Sequence, residues 1–190
     1  MPNHVESTLD FKGPVDQLEK MLILIRGKGN WDSKDPSLFN FDVIIPMPQA
    51  IIDAHKKDNT NDEWYHWCVN NWGTKWGAYS VSLYKHLPAN SVRLIKQMAN
   101  KKAPPGMVRI CFQTAWSPAT PIVQKLSEMF PEVSMTYAYI DEGNGFACLE
   151  KWLAGTMVKG KDDAFPSVRR KLRTFPKCLE GVEPETDEED

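Results

Sequence analysis

The stretch from Met107 to Leu153 leaves the chain few architectures. Val108, Ile110 and Phe112 alternate with other residues at the period of two of a half-buried strand. Ser117 then reads as a helix N-cap with Pro118 at the first helical position, and Ile122, Val123, Leu126, Met129 and Phe130 recur at helical spacing. Pro131 stops the helix. Val133, Met135, Tyr137 and Tyr139 alternate again, Asp141 to Gly145 reads as a hairpin turn, and Phe146 to Leu153 is the returning strand.

A second unit of the same kind opens the chain. Val5, Ser7, Leu9 and Phe11 alternate with Glu6, Thr8 and Asp10. After Gly13-Pro14, Val15, Leu18, Leu22 and Ile25 mark a helix to about Arg26. Two strand–helix units with returning strands predict an α+β, ferredoxin-like domain. Its antiparallel sheet carries helices on one face and a helical insertion in the middle.

Between the units the signals are shorter. Phe39 to Ile45 reads as a strand, closed by Pro46 and Pro48. Helices are expected over Gln49 to Lys56 and Asp62 to Trp72, with Trp64, Trp67, Cys68 and Trp72 on one side and Gly73 as the stop. Tyr79 to Tyr84 is another strand, and Asn90 caps a helix to about Asn100. Lys101 to Gly106 breaks the chain. Pro166 to Thr174 reads as a last helix burying Phe165, Val168, Leu172 and Phe175. The domain is expected to span residues 1–178, with insertions around 46–76 and 86–106. An acidic, disordered tail over 179–190 follows.

At 190 residues the chain can bury a core without disulfides or a structural metal. No apolar run reaches the ~18 residues of a membrane span. Met1 to Asp10 lacks the basic and apolar regions of a secretory signal. The expected location is the cytoplasm. Cys68, Cys111, Cys148 and Cys178 show no paired spacing and are read as reduced, with Cys111 and Cys148 buried. No metal site and no cofactor are expected.

Charge is unevenly placed. The net charge is −2, but Glu180 to Asp190 holds seven acidic and no basic residues. Without that tail 18 acidic residues face 23 basic ones. The last helix carries Arg169, Arg170, Lys171 and Arg173, which either track a nucleic-acid backbone or form an ordinary solvated face.

Two Trp-containing segments carry the sharpest binding signals. In Asn71-Trp72-Gly73-Thr74-Lys75-Trp76, a helix stop sets Thr74 and Lys75 between two indoles. Trp72 and Trp76 then either stack on a ligand while Lys75 meets an anion, or anchor an insertion to the sheet. In Thr114-Ala115-Trp116-Ser117-Pro118, a helix N-terminus offers free N–H groups beside Trp116; alternatively, Ser117 is a plain cap and Trp116 is core. Convergence of the two loops into one pocket is an expectation the fold can test. Asp141, Glu142, Asp162 and Asp163 are read as solvated turn and loop residues rather than an acid/base pair.

Four stretches together resemble a known family: Pro2-Asn3-His4-Val5, Ile44-Ile45-Pro46-Met47-Pro48, Asn71 to Trp76, and Thr114 to Pro118 with Phe130-Pro131 downstream. Asp141-Glu142-Gly143 and Gly145-Phe146-Ala147 fit the same pattern. The chain is similar to the YubB-type ferredoxin-like family of bacteriophages and conjugative plasmids over residues 2 to 158. The resemblance implies the fold and a mobile-element setting; it implies no catalytic residues. The leading expectation is a non-enzymatic accessory protein that binds and inhibits a host component, a defence or nucleic-acid-processing protein. A nucleotide or single-stranded nucleic-acid binder is the second, and an enzyme using Lys75 and Trp116 the third.

Overall fold

A computed structural model describes residues 3–28, 36–86, 106–141, 143 and 145–162. The strand β1 (His4–Gly13) alternates as its sequence requires: Val5, Ser7, Leu9 and Phe11 are buried on the core face. Helix α1 (Val15–Leu24) follows Pro14, whose carbonyl accepts the Leu18 N–H at 3.0 Å. Leu18, Met21 and Leu22 turn to the sheet, and Ile25 caps the helix slightly short of Arg26.

The next elements are two residues each, β2 (Gly27–Lys28) and β3 (Pro36–Ser37), paired antiparallel. The strand expected over Phe39 to Ile45 does not form. Asn40 Oδ1 accepts the Asp42 N–H at 2.9 Å, and Asp42 Oδ1 accepts the Met47 N–H at 2.8 Å. These local bonds compete with a sheet ladder. The Ile44 and Ile45 N–H groups both donate to the Phe41 carbonyl, completing a turn. The apolar alternation is still used, because Phe39 and Phe41 are both fully buried.

Helices α2 (Gln49–Lys57) and α3 (Glu63–Trp72) come next. Strand β4 (Tyr79–His86) precedes β5 (Gly106–Ala115), and helix α4 (Thr120–Met129) leads into β6 (Ser134–Asp141). Two hairpin strands complete the sheet, β7 (Phe146–Leu153) and β8 (Thr156–Asp162). The strand β8 is absent from the sequence reading, which puts Asp162 in a loop. Asp162 instead pairs with Cys148. The turn into β8 uses Ala154 (φ 48°) and Gly155 (φ 76°), the positive-φ pair of a tight hairpin. Alanine in the first of those positions hides the signal.

The six strands run in the order β4-β5-β1-β6-β7-β8, every neighbour antiparallel. The first four strands of that order, with α1 and α4, are the ferredoxin-like unit, and β7 and β8 widen it. The core lies on the helix face. Phe112 stacks parallel to Tyr137 (6.1 Å between centroids, 3°), while Phe39 meets Phe112 edge-on at 5.0 Å. Among the described residues no helix is long and apolar enough to cross a membrane. The helix expected over 90–100, the basic helix with Arg169, Arg170 and Arg173, and the acidic tail lie outside the described residues.

Candidate functional site

The register brings the start of β1, the ends of β5 and β6 and the start of β7 to one end of the sheet. His4 faces Ala115, Glu6 faces Ile140, and Ile140 faces Ala147. The loop after α3 arrives at this end, so the two Trp-containing segments do converge.

Their frame is built on backbone acceptors. Helix α3 ends at Gly73, in the left-handed region at φ 79°, where glycine carries no steric penalty. A Cβ there would lie 2.8 Å from Pro121 Cδ and 2.9 Å from the Pro118 carbonyl oxygen. The fully buried Thr74 donates its hydroxyl to the Ala115 carbonyl at 2.9 Å. Ser117 Oγ donates to the Gly73 carbonyl. Thr114 Oγ1 donates to the Ser117 carbonyl at 2.8 Å. The Trp116 N–H donates to the Asn3 carbonyl at 2.9 Å. Tyr79 Oη donates to the Thr114 carbonyl at 3.1 Å and lies 2.7 Å from His4 Nδ1. Burial pushes the Tyr79 phenol pKa up.

On this frame stands an aromatic cluster at the surface, in which Trp116 is exposed and Tyr65, Lys75 and Trp76 are half-buried. Lys75 Nζ lies 4.7 Å from the centroid of Trp76 and 4.7 Å from that of Trp116, with Tyr65 at 6.0 Å. These distances fall within cation–π range. Tyr65 meets Trp116 edge-on at 6.4 Å, and Trp64 meets Tyr65 at 6.1 Å. Trp116 is 43% exposed and sits at φ 70°, a conformation that costs a bulky residue energy and persists only where its surroundings enforce it.

The structure divides the expected binding residues. Lys75, Trp76 and Trp116 come together at the surface. Trp72 does not join them: it is fully buried, donates Nε1–H to the Ile45 carbonyl at 2.9 Å, and packs edge-on against Phe41. Thr74 and Ser117 hold backbone instead of facing outward. Ser117 is no helix cap, since α4 begins at Thr120 after Ala119, with Pro121 in the first turn. The anion site expected at a Ser117-capped N-terminus is therefore not formed. Arg169, Arg170 and Arg173 lie outside the described residues.

Tyr65, His4 and Tyr79 belong to the site and were not singled out by sequence. Tyr65 falls off the Trp64–Trp67–Cys68–Trp72 stripe of α3, which is the only hint that it faces elsewhere. Asp141, expected to be solvated, is buried at the end of β6. Cys68 and Cys148 are buried, but Cys111 is only half-buried. Among the described residues no group of three His, Cys, Asp or Glu side chains is placed to hold a metal ion.

A second polar cluster is sealed in the core. Glu150 accepts from Tyr139 Oη at 2.8 Å and from Trp152 Nε1 at 2.8 Å. Tyr137 Oη accepts the Ala119 N–H at 3.1 Å and lies 3.2 Å from Ser7 Oγ. Burial raises the pKa of both tyrosines. This cluster satisfies buried groups and offers no open cleft.

No curated protein matches the chain. Among solved structures, protein api92 from Yersinia pseudotuberculosis aligns at 14% identity and a TM-score of 0.48, over 64% of this chain and 38% of that one. The chain thus spans well under half the length of that protein. Residues 96–165 match the family model described as the ferredoxin-like domain in Api92-like protein. That stretch of the chain is similar to the Api92-like ferredoxin-like domain, and the fold it helps build is ferredoxin-like.

Proposed function

We propose that the chain is a YubB-type accessory protein of a phage or conjugative plasmid, acting in the host cytoplasm. It binds and inhibits a host defence or nucleic-acid-processing protein. The surface that makes the contact is the cluster of Tyr65, Lys75, Trp76 and Trp116. One observation carries this reading: Trp116 is exposed and yet locked, its backbone held at φ 70° by its bond to Asn3. An aromatic anchor fixed before binding loses little freedom when a partner covers it, and tryptophans dominate the energetics of interfaces. The mobile-element setting rests on the resemblance of the motifs that converge here.

The test is a tagged pull-down from the bacterial host at near-physiological salt, with wild-type and Trp116→Ala chains side by side. A stoichiometric host protein retained by the wild type and lost by the folded variant supports the reading. Equal recovery by both chains sinks this surface, and no recovered protein sinks the inhibitor reading.

A nucleotide or single-stranded nucleic acid is the second reading, favoured by the cation between two indole faces. Against it, five aromatic side chains of the sheet — Phe11, Phe112, Tyr137, Tyr139 and Trp152 — are buried on the helix face. They offer no stacking platform of the RNA-recognition kind. Co-purified nucleotide with no bound protein would promote this reading.

A further inference from the structure

Lys75 is held by rings and by no carboxylate. Its Nζ lies 4.7 Å from the centroids of Trp76 and Trp116 and 6.0 Å from that of Tyr65. Among the described residues its side chain forms neither an ion pair nor a hydrogen bond, whereas Lys20 and Lys125 reach Asp16 and Glu128. An ammonium carries three N–H donors, and a ring face attracts its charge without offering the lone pair of an oxygen acceptor. Those donors are left for an acceptor from outside. The Lys75 side chain is half-buried, so its charge already stands partly out of water in the free protein. Trp116 beside it is exposed, and its main chain is fixed by the bond to Asn3.

Resting on the reading of this cluster as the contact surface, we infer that the partner meets it with an acidic segment of protein. One carboxylate sits on Lys75 Nζ, and an apolar or aromatic neighbour covers the exposed surface of Trp116. Charge selects this class. Among the described residues Lys75 is the one cation in contact with these rings. One cation matches one carboxylate. A phosphate group carries a charge of about −2 and is met by clusters of cations. A nucleic-acid backbone takes several cations at once. The rings then set the strength. Under a partner, Trp76, Trp116 and Tyr65 wall the ion pair from water, where the attraction is much stronger than between open surface charges. Interfaces concentrate their energy in such water-excluded centres.

The probe is a random copolymer of glutamate and tyrosine, which offers carboxylates beside rings; oligothymidylate is the rival. Each is titrated into the full chain while the indole N–H resonances of Trp76 and Trp116 are followed. The copolymer is expected to move both resonances, and Lys75→Met to weaken its binding by about tenfold. Lys75→Arg, which keeps the charge, should keep the binding. An unchanged urea midpoint shows that Lys75→Met is folded, and Lys75→Gln takes its place if it is not. Equal binding by the wild type and the uncharged variant overturns the inference. An equal or stronger response to oligothymidylate overturns it too, as does a response to neither probe. The host pull-down tells the two readings apart. A host protein lost with Trp116→Ala but kept with Lys75→Met leaves the contact surface standing and removes the acidic segment. No recovered host protein, with the copolymer still bound through Lys75, removes the inhibitor and keeps the acidic preference.

Discussion

Trp72, at the end of α3, and Trp116, on the loop after β5, stand in two segments that touch, yet they do opposite work. Trp72 is sealed against Phe41 with its indole N–H satisfied by the Ile45 carbonyl. Trp116 has a large exposed surface and a strained backbone. The first holds the insertion onto the sheet, and the second is presented by it. Motif resemblance alone does not separate the two roles; burial and hydrogen bonding do.

The comparison can be broken most sharply at Trp72. Trp72→Ala should cost about 3–5 kcal/mol, since it empties a packed site, and a urea melt would show it. Trp116→Ala should leave the midpoint nearly unchanged, within about 1 kcal/mol. If both variants melt alike, the division of labour is wrong. Gly73→Ala, at the C-cap of α3 where the two segments meet, should cost roughly 1–3 kcal/mol from its positive φ and the two close contacts. Thr74→Val keeps the shape but leaves the Ala115 carbonyl without its hydroxyl partner; about 1–2 kcal/mol is expected from the same melt.

A subtler sharpening uses the strain itself. Trp116→Gly should be more stable than Trp116→Ala by about 1 kcal/mol, because only glycine is at ease at φ 70°. Equal stability of the two would mean the backbone relaxes once the ring is gone. The smallest effect is expected from alkali. Tyr79, Tyr137 and Tyr139 all have folded pKa values raised above 10. Their protonated forms stabilise the fold fully below pH 10, and that contribution declines as pH rises further. Tyr139→Phe should flatten the decline in a series of melts between pH 9 and 11 (values near ~10 for a free phenol).

Much of the fold is legible in residue order. The alternation in β1, β5 and β6 and the apolar stripes of α1 and α4 are direct consequences of one-sided burial. Two elements escape for stated reasons. Phe39 and Phe41 alternate like a strand, but Asn40 and Asp42 spend the backbone donors on side chains. The strand β8 is hidden behind Ala154 and weak alternation, with Val158 and Met157 exposed. Of the site, Lys75, Trp76 and Trp116 are readable as unusual residues, and the register explains their meeting. Trp72, Thr74 and Ser117 carry the same local signal, and only the three-dimensional frame turns them inward. Tyr65 could not be found from spacing alone, because its partner Trp116 is distant in the chain.

The frame beneath the aromatic cluster is tied almost wholly to main-chain oxygens: those of Asn3, Gly73, Thr114, Ala115 and Ser117. A carbonyl is the same whatever side chain its residue bears. The side chains of Lys75, Trp76 and Trp116 at the surface can therefore be exchanged without loosening the struts below. The end of this sheet is a socket with replaceable fittings, whose surface residues can change with no new fold.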